Sequence, residues 1–137
     1  MAKDTYHDAV RRALEKDGWT ITNEQYYLAI GEVDFEIDLF AERFFAAERG
    51  NEKIAVEVKS FRTQSPMNKF HEALGQYENY LLALEETEPD RILYLAIPES
   101  LWRTFFQKPF IQMVIRRKQM RIIIYNHELE IIALWIK

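Results

Sequence analysis

The spacing of apolar positions divides the chain into helical and extended segments. Over residues 4–16, Tyr6, Ala9, Val10, Ala13 and Leu14 recur at the three- and four-residue interval of one helix face. A helix is predicted there, capped by Asp4 or Thr5 and ended by Gly18. Residues 21–30 read as extended. Residues 32–39 alternate without a break: Val33, Phe35, Ile37 and Leu39 are apolar, and Glu32, Asp34, Glu36 and Asp38 are acidic. Strict period two is the signature of a strand with one buried face. Arg49-Gly50-Asn51-Glu52 is a turn signal, and residues 53–61 are predicted as the next strand. Ser65-Pro66 opens a long helix carrying Phe70, Ala73, Leu74, Tyr77, Tyr80, Leu81 and Leu84, which fades before Pro89. Residues 91–97 are mostly apolar, as expected of a strand buried on both faces. Residues 98–118 are predicted to form one or two shorter helices interrupted near Pro109, and 121–125 with 129–136 a terminal β-hairpin around Asn126-His127. The order predicts a single α/β domain over residues 1–137, with an N-terminal helix, a central mixed β-sheet flanked by helices, and a C-terminal β-hairpin.

Composition narrows the chemistry. The chain has 137 residues and no cysteine, which excludes a disulfide framework, a thiolate metal site and a cysteine nucleophile. No apolar run approaches the roughly 20 residues needed to cross a bilayer. The first 18 residues are charged throughout, unlike a secretory signal, so a cytoplasmic protein is expected. The net charge of −4 argues against nucleic acid, since DNA affinity draws on Lys and Arg. The charge is unevenly spread, however. Residues 1–58 hold seven bases and thirteen acids, whereas 59–137 hold eleven bases and nine acids. An acidic site beside a basic surface is compatible with that distribution.

The predicted strand IAVEVKSF carries the sharpest chemistry. Alternation sends Ile54, Val56 and Val58 to one face and Ala55, Glu57 and Lys59 to the other. Taken alone, such a triplet reads as an ion pair on a half-solvated sheet. The acidic strand before it adds a second reading. If the connection is centred near Ala47-Glu48, Asp38 sits opposite Glu57, at about the 4.5–5.5 Å Cβ spacing of cross-strand neighbours. If the turn is tight at Gly50-Asn51, Glu57 pairs with Phe44 instead. In the first register two carboxylates share a cation. Oxygen ligands suit Mg²⁺, which keeps waters and leaves room for phosphate oxygens. A lysine beside it is placed to orient or deprotonate an attacking water.

Asp38 followed by Glu57-Val58-Lys59 resembles the D…E-x-K motif of the restriction-endonuclease-like nucleases, although Ile37 stands where many members have proline. Gln76 and Tyr80, one helical turn apart, match the Q-x-x-x-Y element of RecB-type exonucleases. A closer resemblance covers nearly the whole chain. KDTYHDAVRRALEKDGWTIT, IDLFAERFFAAERGNEKIAVEVKSF and IIIYNHELEIIALWIK are similar to the XisH family, cyanobacterial proteins named as controlling factors for excision of a DNA element within the fdxN gene. The resemblance implies a restriction-endonuclease-like fold and a Mg²⁺-dependent endonuclease-like protein in DNA rearrangement, with Mn²⁺ as an alternative metal. It implies Asp38, Glu57 and the Val58 carbonyl as metal ligands, Lys59 as the water-activating residue and Gln76 as its support. DNA and a companion factor, XisI, are the implied partners, with a homo-oligomer as an option. The alternative is a non-catalytic regulatory subunit binding DNA and a partner on the same scaffold.

Other residues carry weaker signals. Asp8 is a further metal candidate because some nuclease relatives bring an acid from the first helix. His7 near it reads as a core-edge or catalytic residue. Asp34 is the fallback acid should Asp38 be misplaced. Arg116, Arg117, Lys118 and Arg121 form the basic cluster, suited to a helix C-terminus or to DNA phosphates. Phe44, Phe45, Phe105, Phe106 and Phe110 are candidate exposed aromatics for a protein partner. His71 and His127 read as surface or turn residues, and Trp19, Trp102 and Trp135 as core.

Overall fold

The computed structural model of the chain describes residues 6–37, 39–44, 51–62 and 65–137. Helix α1 (His7–Lys16) buries His7, Val10, Ala13 and Leu14. It ends where Gly18 adopts φ 91°, which lets the Trp19 amide donate back to the Leu14 carbonyl and turns the indole into the core. Strands β1 (Thr20–Asn23), β2 (Tyr26–Ile30), β3 (Val33–Ile37), β4 (Leu39–Phe44) and β5 (Asn51–Val58) follow. Helix α2 (Pro66–Thr87) leads to β6 (Arg91–Pro98). After α3 (Glu99–Arg103) and a 3-10 turn (Phe105–Gln107) come α4 (Pro109–Lys118), β7 (Ile122–Asn126) and β8 (Ile131–Ile136).

Six strands form one sheet in the order β1-β4-β5-β6-β7-β8, and β2 and β3 pair separately. Strands β5, β6 and β7 are parallel, flanked by antiparallel β4 and β8. The predicted mixed sheet, first helix and terminal hairpin are therefore present. One face carries Ala55, Leu93, Leu95, Ile97, Ile122 and Ile124 against α2, the 3-10 turn and α4. The other carries Ile54, Val56, Val58, Tyr94, Ala96, Ile123 and Tyr125 against α1 and Trp19. The even apolar content of β6 follows from its central place between both layers, which bury seven of its eight residues.

Three expectations need correction. The extended run 21–30 divides into β1 and β2, which pair with different partners. The alternating run 32–39 divides into β3, paired with β2, and the start of β4, paired with β5. Period two reports extended backbone with two unlike faces and is blind to which neighbour supplies the hydrogen bonds. The third concerns the aromatics: Phe105 and Phe106 are buried, because the 3-10 turn rolls both rings onto Phe70 and Phe61. Phe110 is exposed, whereas Phe45 and the side chain of Phe44 lie outside the described residues.

Candidate functional site

The site is built at the end of β5. Glu57 follows Ala55 onto the face covered by α2 and is only 4% exposed. The chain leaves the ladder at Lys59, yet both backbone groups of that residue are held. Its N–H donates to the Ala96 carbonyl at 2.9 Å, and its carbonyl accepts from Tyr125 Oη at 3.2 Å. Lys59 Nζ stands 3.2 Å from Glu57 Oε1, with a quarter of the lysine side chain exposed. The carboxylate is thus inside and the ammonium at the mouth. Lys59, Ser60, Phe61, Arg62, Lys69, Glu72 and Ala73 line a cleft of about 220 Å³. Phe61 lies at φ 54°, a conformation costly for an aromatic residue, while its ring is anchored against Phe105 and Phe106. That strained residue turns the chain from β5 toward α2.

The register of β4 against β5 bears on the paired-carboxylate reading. Leu39 pairs with Val56, Phe40 with Ala55, and so on to Phe44 with Asn51. The tight-turn alternative, in which Glu57 pairs with Phe44, is excluded. The observed pairs are those of the longer connection, and the last of them stops one position short of Glu57. Asp38 itself lies outside the described residues. Asp34 and Glu36 belong to β3, opposite Ala29 and Tyr27 of β2, so the fallback acid is not on the strand beside Glu57.

The remaining predicted residues scatter around this point. Gln76 sits on α2 one turn past the cleft residues Glu72 and Ala73, and its buried Oε1 has no hydrogen-bond partner among the described residues. Tyr80, one turn further, is buried in the core. Asp8 is exposed on α1, one turn before Arg12. Its neighbour His7 is the inward-facing member of the pair: 1% exposed, with neither ring nitrogen hydrogen-bonded among the described residues. Tyr6 stacks on His127 at 4.2 Å, and the Arg62 guanidinium lies 5.7 Å from its ring centroid, so the start of α1 reaches the loop after β5. Trp19 is fully in the core, and Trp102 and Trp135 pack on its two layers half-buried.

The basic cluster is elsewhere. Arg116, Arg117 and Lys118 are exposed in the last turn of α4, and Lys118 Nζ is 3.4 Å from Glu78 on α2. With Arg121 and Lys137, Arg116 and Lys118 rim a shallow groove of about 600 Å³ floored by Leu81, Ile115, Met120 and Ile136. Leu81 and the cleft residue Ala73 are separated by about 12 Å along the axis of α2 at the helical rise. The cations that line the cleft are instead Lys59, Arg62 and Lys69, of which only Lys59 belongs to the E-x-K triplet. A signal existed: stepping back from Gln76 by helical intervals reaches Ala73, Glu72 and Lys69 on one face. Among the described residues no group of three or more His, Asp or Glu side chains is gathered for a metal, and no helix is long and apolar enough to cross a membrane.

Comparison with known proteins places the chain. The family model described as XisH protein matches residues 1–133. The crystal structure of an XisH family protein from Nostoc punctiforme PCC 73102 superposes with TM-score 0.89 at 45% identity, covering 98% of this chain and all of that one. A fdxN element excision controlling factor protein from Anabaena variabilis gives the same TM-score and coverage at 44% identity. Among curated proteins no relative matches.

Proposed function

The chain belongs to the XisH family, and on that footing we propose that it is a Mg²⁺-dependent, endonuclease-like protein of DNA-element excision, hydrolysing phosphodiester bonds on a restriction-endonuclease-like fold. The observation that carries the reading is the buried Glu57 carboxylate at the end of the central strand β5, with Lys59 Nζ at 3.2 Å and Lys59 itself lining a cleft. The name of the Anabaena variabilis relative supplies the biological setting, control of excision of the fdxN element.

In this reading the Asp38 and Glu57 carboxylates and the Val58 carbonyl would hold Mg²⁺ or Mn²⁺. Asp8 is a further candidate ligand. The donor set fits a hard cation, since every ligand atom is oxygen and Glu57 is already withdrawn from solvent. When bound, the cation lowers the pKa of a coordinated water and offsets charge on the scissile phosphate. Lys59 would orient an attacking water, its position held by the ion pair to Glu57 and by the two hydrogen bonds to its backbone. Gln76 positions Lys59 or the water. Arg62 and Lys69 receive the flanking phosphates, Arg116, Arg117, Lys118 and Arg121 form a second contact, and a companion factor, XisI, completes the complex.

The test is nicking of supercoiled plasmid with Mg²⁺ or Mn²⁺, with and without the companion factor. Lys59→Ala is expected to fold and to abolish metal-dependent nicking, and full cleavage by that variant refutes the mechanism. A second reading is favoured by the net charge of −4 and by the separation of the basic cluster from the cleft: a non-catalytic subunit that binds DNA and a partner. DNA binding with the companion factor, without nicking under any metal, selects it.

A further inference from the structure

We propose that the outer edge of β8 is a homodimer interface, occupied by β8 of a second copy of this chain aligned antiparallel across a two-fold axis. Among the described residues β8 is the last strand of the six-stranded sheet, so one side of its backbone has no ladder. Its six residues, IIALWI, include no charge, proline or glycine, the devices that ordinarily protect an edge. The face toward α1 is covered, with Trp135 packed on Trp19 and Tyr94 at 5.9 and 5.1 Å. The opposite face is open: Ile131 is 40% exposed, Leu134 47% and the adjoining Leu129 62%.

The edge is also rigid. Asn126 Oδ1 accepts from the Glu128 and Leu129 amides, Arg12 binds Glu130 at 2.6 Å, and Lys16 Nζ donates to the Leu129 carbonyl. A partner therefore orders little on binding.

Self-complementarity selects a second copy as the occupant. A register shift near Ile124/Tyr125 leaves Ala133 unpaired, so Ile131 and Leu134, odd and even, share one face. A two-fold axis normal to the sheet preserves faces, and Ile131 must then meet a residue of its own face. Leu134 of the second copy is that residue. The same alignment brings Leu129 to Ile136 and sets Glu128 beside Lys137, joining the acidic end of each hairpin to the basic end of the other. Both charges are exposed, and neither has an ion-pair partner among the described residues. Isologous pairing repeats each of these contacts twice.

Sedimentation velocity of the full chain from about 5 to about 500 µM tests this, because a dimer of modest area dissociates on dilution. A species of twice 16.4 kDa is expected at the upper end. Leu134→Lys is expected to be monomeric with an unchanged circular dichroism spectrum, while Leu82→Lys, on an exposed α2 position away from the hairpin, still dimerises. Glu128→Lys and Lys137→Glu each weaken association roughly threefold per pair, about tenfold for the two symmetry-related pairs, and the double variant restores it. A monomer at every concentration, a dimer indifferent to Leu134→Lys, or a charge swap that fails to rescue overturns the proposal.

Discussion

Tyr125→Phe isolates the contact that holds the lysine loop to the sheet. Tyr125 is wholly buried on β7, and its hydroxyl donates to the Lys59 carbonyl at 3.2 Å. The substitution keeps the ring, and with it the edge contact to Tyr6 at 6.1 Å, and removes the hydroxyl that donates to Lys59. A distance of 3.2 Å is long for a hydroxyl donor, whose usual separation is about 2.8 Å. The loss is therefore placed in the lower part of the range for a neutral hydrogen bond, about 0.5–1 kcal/mol. For a domain of this size that corresponds to a fall in Tm of about 2–5 °C, read by circular dichroism. The functional effect is larger in proportion. Lys59 keeps its side chain, its ion pair to Glu57 and its amide bond to Ala96, but one of its two backbone anchors is gone, so its loop is held less closely. On the nuclease reading small displacements of a reacting group are costly, and nicking by the variant is expected to slow about tenfold. Melting and nicking both equal to wild type refute the claim that this hydroxyl positions the loop.

Three further perturbations test other links. Phe106→Ala removes a fully buried ring packed among Phe61, Phe70 and Phe105 and is expected to cost about 3–5 kcal/mol in urea denaturation; a cost near zero shows that the 3-10 turn is not part of the core. His7→Leu is expected to stabilise the fold by about 1 kcal/mol, since it removes two buried nitrogens without partners among the described residues, and a destabilised variant contradicts that description. Glu130→Gln probes the hairpin anchor. The hydrogen bond from Arg12 holds the Glu130 carboxyl below its ordinary value, so its stabilisation is present above the unfolded pKa and is lost as pH falls through the folded one. The Tm of wild type should exceed that of the variant at pH 7 and converge with it in acid; a gap that widens on acidification reverses the assigned sign.

Elements whose partners are settled by their own burial pattern were legible. The stripe of α2, Phe70 to Leu84, points at the sheet as the spacing requires, and the unbroken apolar run of β6 lies at the centre. What failed was pairing. Residues 32–39 alternate as one strand would, but a break in partnership leaves the two-residue period intact, so β3 and β4 cannot be told apart by it. Phe105 and Phe106 misled for a related reason. Adjacent aromatics do not share one face of a helix or strand, and both are buried here because Phe61 and Phe70 come from separate segments and each meets both rings, a long-range arrangement that no local period reports. At the site, Glu57 and Lys59 met because residues two apart on a strand share a face, a local rule. Arg62 and Lys69 were not found, since their approach depends on the turn at Phe61 and on the docking of α2.

That difference decides how the acidic composition bears on DNA. The net charge of −4 is a property of the whole chain, whereas a phosphate in the cleft is acted on mainly by groups within a Debye length, about 8 Å at physiological salt. Lys59, Arg62 and Lys69 are within the cleft wall, against Glu72, which already pairs with Lys69 at 3.5 Å, and Glu57, which pairs with Lys59. After those pairings Arg62 is the cation that remains at the mouth, held over the Tyr6 ring rather than by a carboxylate. Among the described residues the cleft walls therefore come close to neutrality, with Arg62 the cation not paired to a carboxylate. On the nuclease reading this makes DNA affinity dependent on what joins the chain, a divalent cation at Glu57 and a partner protein, and makes affinity for DNA in their absence weak. The Arg116–Lys118 cluster lies apart from these walls, with Arg116 and Lys118 at a separate, apolar-floored groove. Net charge was thus the wrong scale on which to judge the site, and the arrangement of α2 against the end of β5 is the right one.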